Sequence, residues 1–130
     1  MDLPTYNLGN LAPPDIKAYL EEKDIVMIPI ASLEQHGPHL PLLTDTIQAE
    51  QIAHRAAEKA QVLYTPSVWM GYSPQHMYGV GQGTGTITIR PQVLLDLYYD
   101  IARCLIHHGF NKLVFVNNHG SNNKIIEPLL

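Results

Sequence analysis

The amino-acid sequence predicts an α/β fold with a mainly parallel β-sheet, and two observations support this prediction. Three short apolar segments rich in Ile and Val have the length and composition of buried strands: DIVMIPIA at 24–31, VLYTPSV at 62–68 and KLVFV at 112–116. Segments with a helical spacing of apolar residues lie between them. An alternation of strands and helices is typical of layered folds in which helices cover a parallel sheet.

The first two helices are predicted from their starts and from the spacing of small residues. Pro13 and Pro14 open a short helix that ends near the YLEEK segment. Thr44 or Asp45 is expected to cap the next helix. Along that helix a face of small or apolar residues recurs with helical spacing and predicts close packing: Ala49, Ile52, Ala53, Ala56, Ala57 and Ala60.

The remaining elements follow the second strand segment. A glycine-rich segment, GYSPQHMYGVGQGTGT at 71–86, is expected to be mobile or to face a substrate. Pro91 fits the first turn of a third helix, which ends at the glycine of HHG. The apolar stripe of this helix comprises Leu94, Leu97, Tyr98, Ile101 and Leu105. KIIEPLL at 124–130 begins a last helix soon after the third strand segment.

Composition and charge exclude several classes of function. The 130 residues are 45% apolar and 15% charged, which suits one compact domain. The net charge of −4 comes from 8 basic and 12 acidic residues with no block of Lys and Arg, so we expect a small neutral or polar partner and no nucleic acid. The single Cys104 excludes an intrachain disulfide and is expected in a core. Neither a secretory signal nor a membrane span is recognisable, so a cytoplasmic location without membrane contact is expected.

One segment concentrates potential metal ligands. SLEQHGPHLPLLTD at 32–45 directly follows the first strand and contains two carboxylates and two imidazoles. In an extended chain residues two apart project to the same side, so Glu34 and His36 can aim at one point, and Asp45 returns from the next helix start. One glycine and two prolines shape and stiffen the loop between them. Carboxylate and imidazole ligands suit Zn²⁺ or Mn²⁺, and the cysteine count excludes a thiolate site.

Another histidine follows the third strand. His119, in VNNHGSN, lies at the carboxyl end of a strand, and in a parallel sheet this end shares an edge with the end of the first strand. Glu34, His36, Asp45 and His119 would then supply one open catalytic metal site and most of a second, with one carboxylate bridging ions roughly 3.5–4 Å apart. A bridging water would be acidic enough to act as a nucleophile near neutral pH.

The same residues also have structural explanations. A helix start favours Asp without any metal, so Asp45 could serve only as a cap. Four asparagines after the third strand could be turn formers: Asn117, Asn118, Asn122 and Asn123. The other five histidines are interpreted as hydrogen-bonding residues rather than ligands: His39, His54, His76, His107 and His108.

Three motifs resemble the creatininase (creatinine amidohydrolase) family over about residues 24–130: SLEQHGPHLPLLTD, GYSPQH with GTGTITI, and HHGFNKLVFVNNHGSN. The resemblance implies a three-layer α/β/α fold and hydrolysis of amide-type C–N bonds in small cyclic or formylated substrates. It further implies a pair of divalent ions, Zn and/or Mn with Fe as another choice, and a homo-oligomer that is often a hexamer. It matches Glu34, His36, Asp45 and His119 to catalytic metal ligands, with Asp45 as the bridging carboxylate.

Two features depart from the family pattern. Ser121 stands where creatininases proper carry a Glu ligand. Family members with a small residue at this position take an acidic ligand from an ETS-type segment later in the chain, so the resemblance implies such a ligand here. Family chains are about twice this length, so residues 1–130 are expected to form one creatininase-like α/β domain that stops before its C-terminal half. Two hypotheses stand beside the metal-dependent amide hydrolase: a catalytically silent fragment or assembly module, and a hydrolase of a cyclic polyol or sugar-derived ketone.

Overall fold

The computed structural model describes residues 3–130, which form four α-helices and three β-strands. The helices are α1 (Pro13–Glu22), α2 (Thr44–Ala60), α3 (Pro91–His107) and α4 (Asn123–Ile126), and the strands are β1 (Ile25–Ile30), β2 (Leu63–Tyr64) and β3 (Lys112–Asn117). Their order confirms the predicted alternation of helices and strands. None of these helices combines the length and the apolar character that a membrane span requires.

The three strands form one parallel sheet in the order β2, β1, β3. Val26 at the centre lies opposite Leu63 of β2 on one side and Leu113 of β3 on the other. This arrangement confirms the predicted α/β fold with a parallel sheet. β2 is shorter than the predicted strand at 62–68, because Pro66 has no N–H to donate to the neighbouring strand. Beyond Pro66, Val68 forms an isolated parallel bridge with Ile30 of β1.

The side chains of β1 alternate between two hydrophobic clusters, which gives the domain three layers. Val26, Ile28 and Ile30 are buried in a cluster that also contains Tyr19 of α1 and residues of α3. Met27 points to the opposite face and packs in a second cluster with alanines of α2. A strand buried on both faces has a nearly continuous apolar sequence, as IVMIPI does. The α/β/α layering implied by the family resemblance is therefore present.

α2 approaches the sheet along a narrow stripe of alanines. Ala49, Ala53 and Ala57 are fully buried at intervals of one helical turn, and their small side chains allow close packing. Ile52, which belonged to the predicted face, is 52% exposed, and Ala60 is exposed as well. The packed face is therefore narrower than the spacing predicted.

α3 buries Leu94, Tyr98 and Leu105 as its apolar stripe predicted. Cys104 is exposed, so the expectation that it packs in a core is wrong. Successive residues of a helix point about 100° apart, and Leu105 already occupies the direction of the core. The residue type alone favoured burial, but the helical phase places this thiol on the outer side.

β3 is an edge strand, and the prediction that KLVFV is buried is wrong. It pairs with β1 on one side, and within residues 3–130 no strand pairs with its other side. Val114 is consequently 41% exposed. The start of the strand is fixed by the Lys112 Nζ atom, which donates to Oδ1 of Asp24 over 2.8 Å. This hydrogen bond holds the pKa of the Asp24 carboxyl below its ordinary value.

The parallel sheet brings three loops to one edge. The main chain leaves β1 and β3 there, and the two exits stay adjacent because the Asn118 N–H donates to the Ile30 carbonyl over 3.1 Å. The glycine-rich segment returns to the same edge through two isolated bridges, Leu33 with Ile87 and Gly71 with Thr88. Residues far apart in the sequence therefore meet at this edge.

Candidate metal centre

Asp45 occupies the centre of the site, in the first turn of α2. The residue before the helix is Leu43, which makes no side-chain cap, and the carboxylate of Asp45 contacts side chains of other segments. It accepts a hydrogen bond from the Ser32 hydroxyl over 2.9 Å and is only 8% exposed. The expectation that Thr44 or Asp45 caps the helix is wrong, because the Thr44 hydroxyl donates to the carbonyl of Pro41 instead.

The four residues singled out in the sequence lie together around this carboxylate. Oδ1 of Asp45 is 3.1 Å from Nε2 of His36, and Oδ2 is 3.0 Å from Nδ1 of His119. Oε1 of Glu34 is 3.3 Å from the same His119 nitrogen and 3.7 Å from the His36 nitrogen. One ligand atom from each of Glu34, Asp45 and His119 fits within 4.8 Å of the others, and all three residues are buried. Such spacing brings these atoms within reach of a common cation.

The second nitrogen of each imidazole faces a main-chain carbonyl. Nδ1 of His36 lies 3.0 Å from the carbonyl oxygen of Glu34, and Nε2 of His119 lies 3.0 Å from that of Tyr72. A carbonyl oxygen only accepts hydrogen bonds, so these two ring nitrogens carry the hydrogen. In a neutral imidazole of this tautomer, the nitrogen that faces an oxygen of Asp45 carries the lone pair.

Nitrogens of two histidines and oxygens of two carboxylates converge in this place. Neutral imidazoles of this tautomer would direct their lone pairs at the carboxylate oxygens, and such groups repel unless a proton or a cation lies between them. A cation among them turns the repulsion into attraction. Mixed carboxylate and imidazole donors match Zn²⁺ and Mn²⁺, so the donor set fits a divalent transition metal.

A buried asparagine joins the loops that carry the site. Asn122 is 0% exposed, and its Nδ2 donates to the Ala31 carbonyl over 2.9 Å while its Oδ1 accepts from the N–H of Tyr72 over 3.1 Å. Asn117 similarly brackets His119, accepting from its N–H and donating to its carbonyl. The interpretation of these asparagines as turn formers is therefore too narrow, because Asn122 joins separate segments.

Asn122→Leu is expected to lower the free energy of unfolding by about 3–5 kcal/mol, because it leaves buried main-chain groups without partners at about 1–3 kcal/mol each. Chemical denaturation monitored by circular dichroism would measure the loss. Asn111→Leu is the matched control, since Asn111 is exposed and its side chain donates to the Gly109 carbonyl over a long 3.4 Å. Equal losses in the two variants would contradict the role assigned to Asn122.

Sequence reasoning missed three polar side chains at the site. Ser32 binds Asp45, and the Ser73 hydroxyl lies 3.0 Å from Nε2 of His119. His76, interpreted only as a hydrogen-bonding residue, also has its Nε2 3.4 Å from Oε2 of Glu34. The position of Ser32 directly after β1 was a usable signal. The other two arrive with the glycine-rich segment, whose return to the edge depends on long-range bridges.

Three further histidines and Ser121 make contacts with residues other than the four around Asp45. His54 pairs with Glu58 along α2 at 3.5 Å, and His107 stacks edge-on against His108 at the end of α3. Ser121, two residues after His119, accepts a hydrogen bond from the side chain of Gln75 over 3.3 Å. Nδ1 of His54 also lies 3.4 Å from the Tyr64 hydroxyl, as expected of a hydrogen-bonding residue. For His39, His107 and His108 that interpretation stays a prediction.

Comparisons with known proteins agree with the motifs. The profile of the Creatininase family, described as creatinine amidohydrolase, matches residues 9–130. The chain is 31% identical to the creatinine amidohydrolase of Pseudomonas putida over 92% of its own length and 46% of that protein's. It is 30% identical to the 3-dehydro-scyllo-inosose hydrolase of Thermotoga maritima over 81% of its length and 33% of that protein's. It is 35% identical to the mycofactocin precursor peptide peptidase of Mycobacterium tuberculosis over 75% of its length and 41% of that protein's.

Solved structures extend the likeness to the fold. A creatininase point mutant in a Zn–Zn form superposes with a TM-score of 0.88 at 30% identity, covering 96% of this chain and 49% of that one. A Mn form of creatininase gives 0.87 at 30% identity, covering 95% and 49%. The chain thus spans less than half the length of the relatives it matches. With a matching family profile over residues 9–130 and this fold, the chain belongs to the creatininase family.

Proposed function

We propose that this chain carries the metal centre of a hydrolase that cleaves a C–N bond of a small polar substrate. Glu34, His36, Asp45 and His119 would hold its two divalent ions. The observation that carries the proposal is the orientation of the two imidazoles. Each has one ring nitrogen at a main-chain carbonyl and the other at one oxygen of Asp45. Histidine ligands of metals almost always donate their other ring hydrogen in this way.

The two oxygens of Asp45 face different donor atoms, and each set of donors would hold one ion. Oδ2 of Asp45, Nδ1 of His119 and Oε1 of Glu34 form the first set. Oδ1 of Asp45 and Nε2 of His36 form the second, which leaves positions for water, substrate or a ligand from outside residues 3–130. Zn, Mn or Fe suits both sets, and the Zn–Zn and Mn forms of related creatininases support the first two choices.

The burial of the cluster determines how it acts. Bound divalent ions lower the pKa of a water molecule and polarise a carbonyl oxygen. The protein's own part is to hold both carboxylates beside the two imidazoles and away from bulk water. His119 is only 6% exposed and Glu34 8%, so charges placed among them interact more strongly than in water. Ser32 fixes the Asp45 oxygen that faces His119, which keeps the other oxygen free for His36.

The names of the relatives guide the proposed substrate class. Two of them, an amidohydrolase and a peptidase, are named for cleavage of amide-type C–N bonds. The 30% identity to an inosose hydrolase favours a second candidate, hydrolysis of a cyclic polyol ketone. Creatinine itself is not favoured as the substrate, because Ser121 stands where creatininases proper carry a Glu ligand. The hexameric state, the cytoplasmic location and the organisation of residues 1–130 as one domain stay predictions.

Metal content and turnover test the proposal together. We expect the purified protein to retain divalent ions after dialysis against a weak chelator and to hydrolyse at least one member of a panel of cyclic amides. Turnover of inosose-type ketones without turnover of any amide would favour the second candidate. Full loss of metal ions to the weak chelator, with no turnover of either panel, would contradict a hydrolase and support the silent assembly module.

A further inference from the structure

The two carboxylate oxygens of Glu34 have different surroundings. Oε1 faces the nitrogens of His36 and His119 inside the cluster. Oε2 points away from them, is buried, and forms no hydrogen bond with any residue from 3 to 130. Nε2 of His76 lies 3.4 Å from this oxygen. A buried carboxylate oxygen without a donor is costly, so the state of the His76 nitrogen decides how Glu34 is held.

Neighbouring hydrogen bonds assign the tautomer of His76. The N–H of Gly37 donates to Oε1 of Gln35 over 3.0 Å, which identifies the other end of that amide as the donor. Nε2 of Gln35 lies 2.9 Å from Nδ1 of His76, so Nδ1 must accept. The hydrogen of the imidazole therefore resides on Nε2, the atom that faces Glu34.

The main chain around His76 is held firmly enough to make this orientation specific. His76 ends a short 3₁₀ turn in which its N–H donates to the Ser73 carbonyl over 3.1 Å. Gly81 packs directly against its carbonyl, since a Cβ on that glycine would lie 2.2 Å from the oxygen. The N–H of Ser73 in turn donates to the hydroxyl of Thr88 over 2.8 Å. The segment that carries His76 is thus fixed on both sides.

The same short segment supports two residues of the cluster. The Tyr72 carbonyl and the Ser73 hydroxyl each lie 3.0 Å from Nε2 of His119. Three residues after Ser73, Nε2 of His76 faces Oε2 of Glu34. These contacts are made to Nε2 of His119 and Oε2 of Glu34, the atoms that point away from the rest of the cluster. Outer contacts of this kind orient ligand residues and raise metal affinity.

We propose that His76 is a positioning residue for Glu34: its Nε2–H, 3.4 Å from Oε2, attracts this oxygen electrostatically and so leaves Oε1 as the oxygen that faces the metal ions. Gln35 serves this role indirectly by keeping the hydrogen of His76 on the correct nitrogen. The inference rests on the proposed function for its effect on metal binding. The tautomer of His76, in contrast, can be tested in the metal-free protein.

Substitutions that keep or remove the donor separate positioning from ligation. His76→Leu removes both ring nitrogens and is expected to weaken Zn²⁺ binding about 10–100-fold in a chelator competition. His76→Gln places an amide N–H at a reach close to that of Nε2 and is expected to stay within about threefold of the wild type. His54→Leu is the matched control, because it removes a histidine–carboxylate pair of similar length, 3.5 Å, on the surface of α2 and should leave Zn²⁺ affinity unchanged.

Nitrogen-15 NMR of the histidines gives a readout that does not depend on folding of a variant. In the metal-free wild type, His76 is expected to show the tautomer with hydrogen on Nε2. The opposite tautomer would overturn the inference whatever the metal affinity. Equal Zn²⁺ affinity in His76→Leu and the wild type would also overturn it, as would an equal loss in His76→Gln and His76→Leu, which would make His76 a direct ligand. A wild type that binds no Zn²⁺ but shows the expected tautomer would contradict the proposed function and confine His76 to holding Glu34.

Discussion

Asp45→Asn is expected to abolish the binding of both metal ions. The two oxygens of Asp45 face different histidines, and an amide supplies only one oxygen, which is neutral. His36→Ala, in contrast, removes a donor from one set only and should chiefly empty that site. Metal content per chain after dialysis, measured by elemental analysis, distinguishes the two variants. Equal metal content in Asp45→Asn and the wild type would show that Asp45 has only a structural role.

Stability of the metal-free protein provides the control for this variant. Asp45 does not cap α2, so the helix start should tolerate Asn. The oxygen of the new amide can keep the hydrogen bond from the Ser32 hydroxyl, while its N–H would face Nε2 of His36. Without metal ions, Asp45→Asn is therefore expected to be as stable as the wild type or more stable by about 1 kcal/mol. A large destabilisation in metal-free buffer would show that the carboxylate of Asp45 stabilises the fold without metal ions.

Gly71→Ala is expected to destabilise the protein by about 3 kcal/mol, because the added methyl group overpacks main chain rather than a flexible side chain. A Cβ on Gly71 would lie 2.3 Å from the carbonyl oxygen of Ala31 and 2.7 Å from Cβ of Ser32. Both atoms belong to the segment that leads from β1 to Glu34. The variant should therefore also weaken metal binding, since the loop and the strand end must separate.

Gly120→Ala is the matched control for Gly71→Ala. Gly120 follows His119 directly, yet a Cβ there would meet nothing within 4 Å. Its substitution is expected to change the free energy of unfolding by no more than about 0.5 kcal/mol. Thermal and denaturant unfolding of both variants would test the difference. Similar losses at the two positions would mean that the close approach at Gly71 does not limit stability.

Local patterns in the sequence correctly predicted the helices and the parallel character of the sheet. Proline starts, glycine stops and apolar spacing act within a few residues, so their physical cause is contained in a short window. The juxtaposition of the Glu34 segment with His119 also followed, because ends of adjacent parallel strands share an edge. The predictions that failed concern direction and exposure: the cap at Asp45, the burial of β3 and the burial of Cys104.

The sequence by itself determined which chemical groups could form a site and the sheet edge at which they would meet. Only the tertiary structure decided which ring nitrogen of His36 and His119 faces Asp45, and it alone brought His76 to Glu34. An imidazole takes its orientation and tautomer from the partners around it. For His119 and His76 those partners are Tyr72 and Gln35, which lie more than 40 residues away along the chain and arrive only when the glycine-rich segment pairs with the sheet edge.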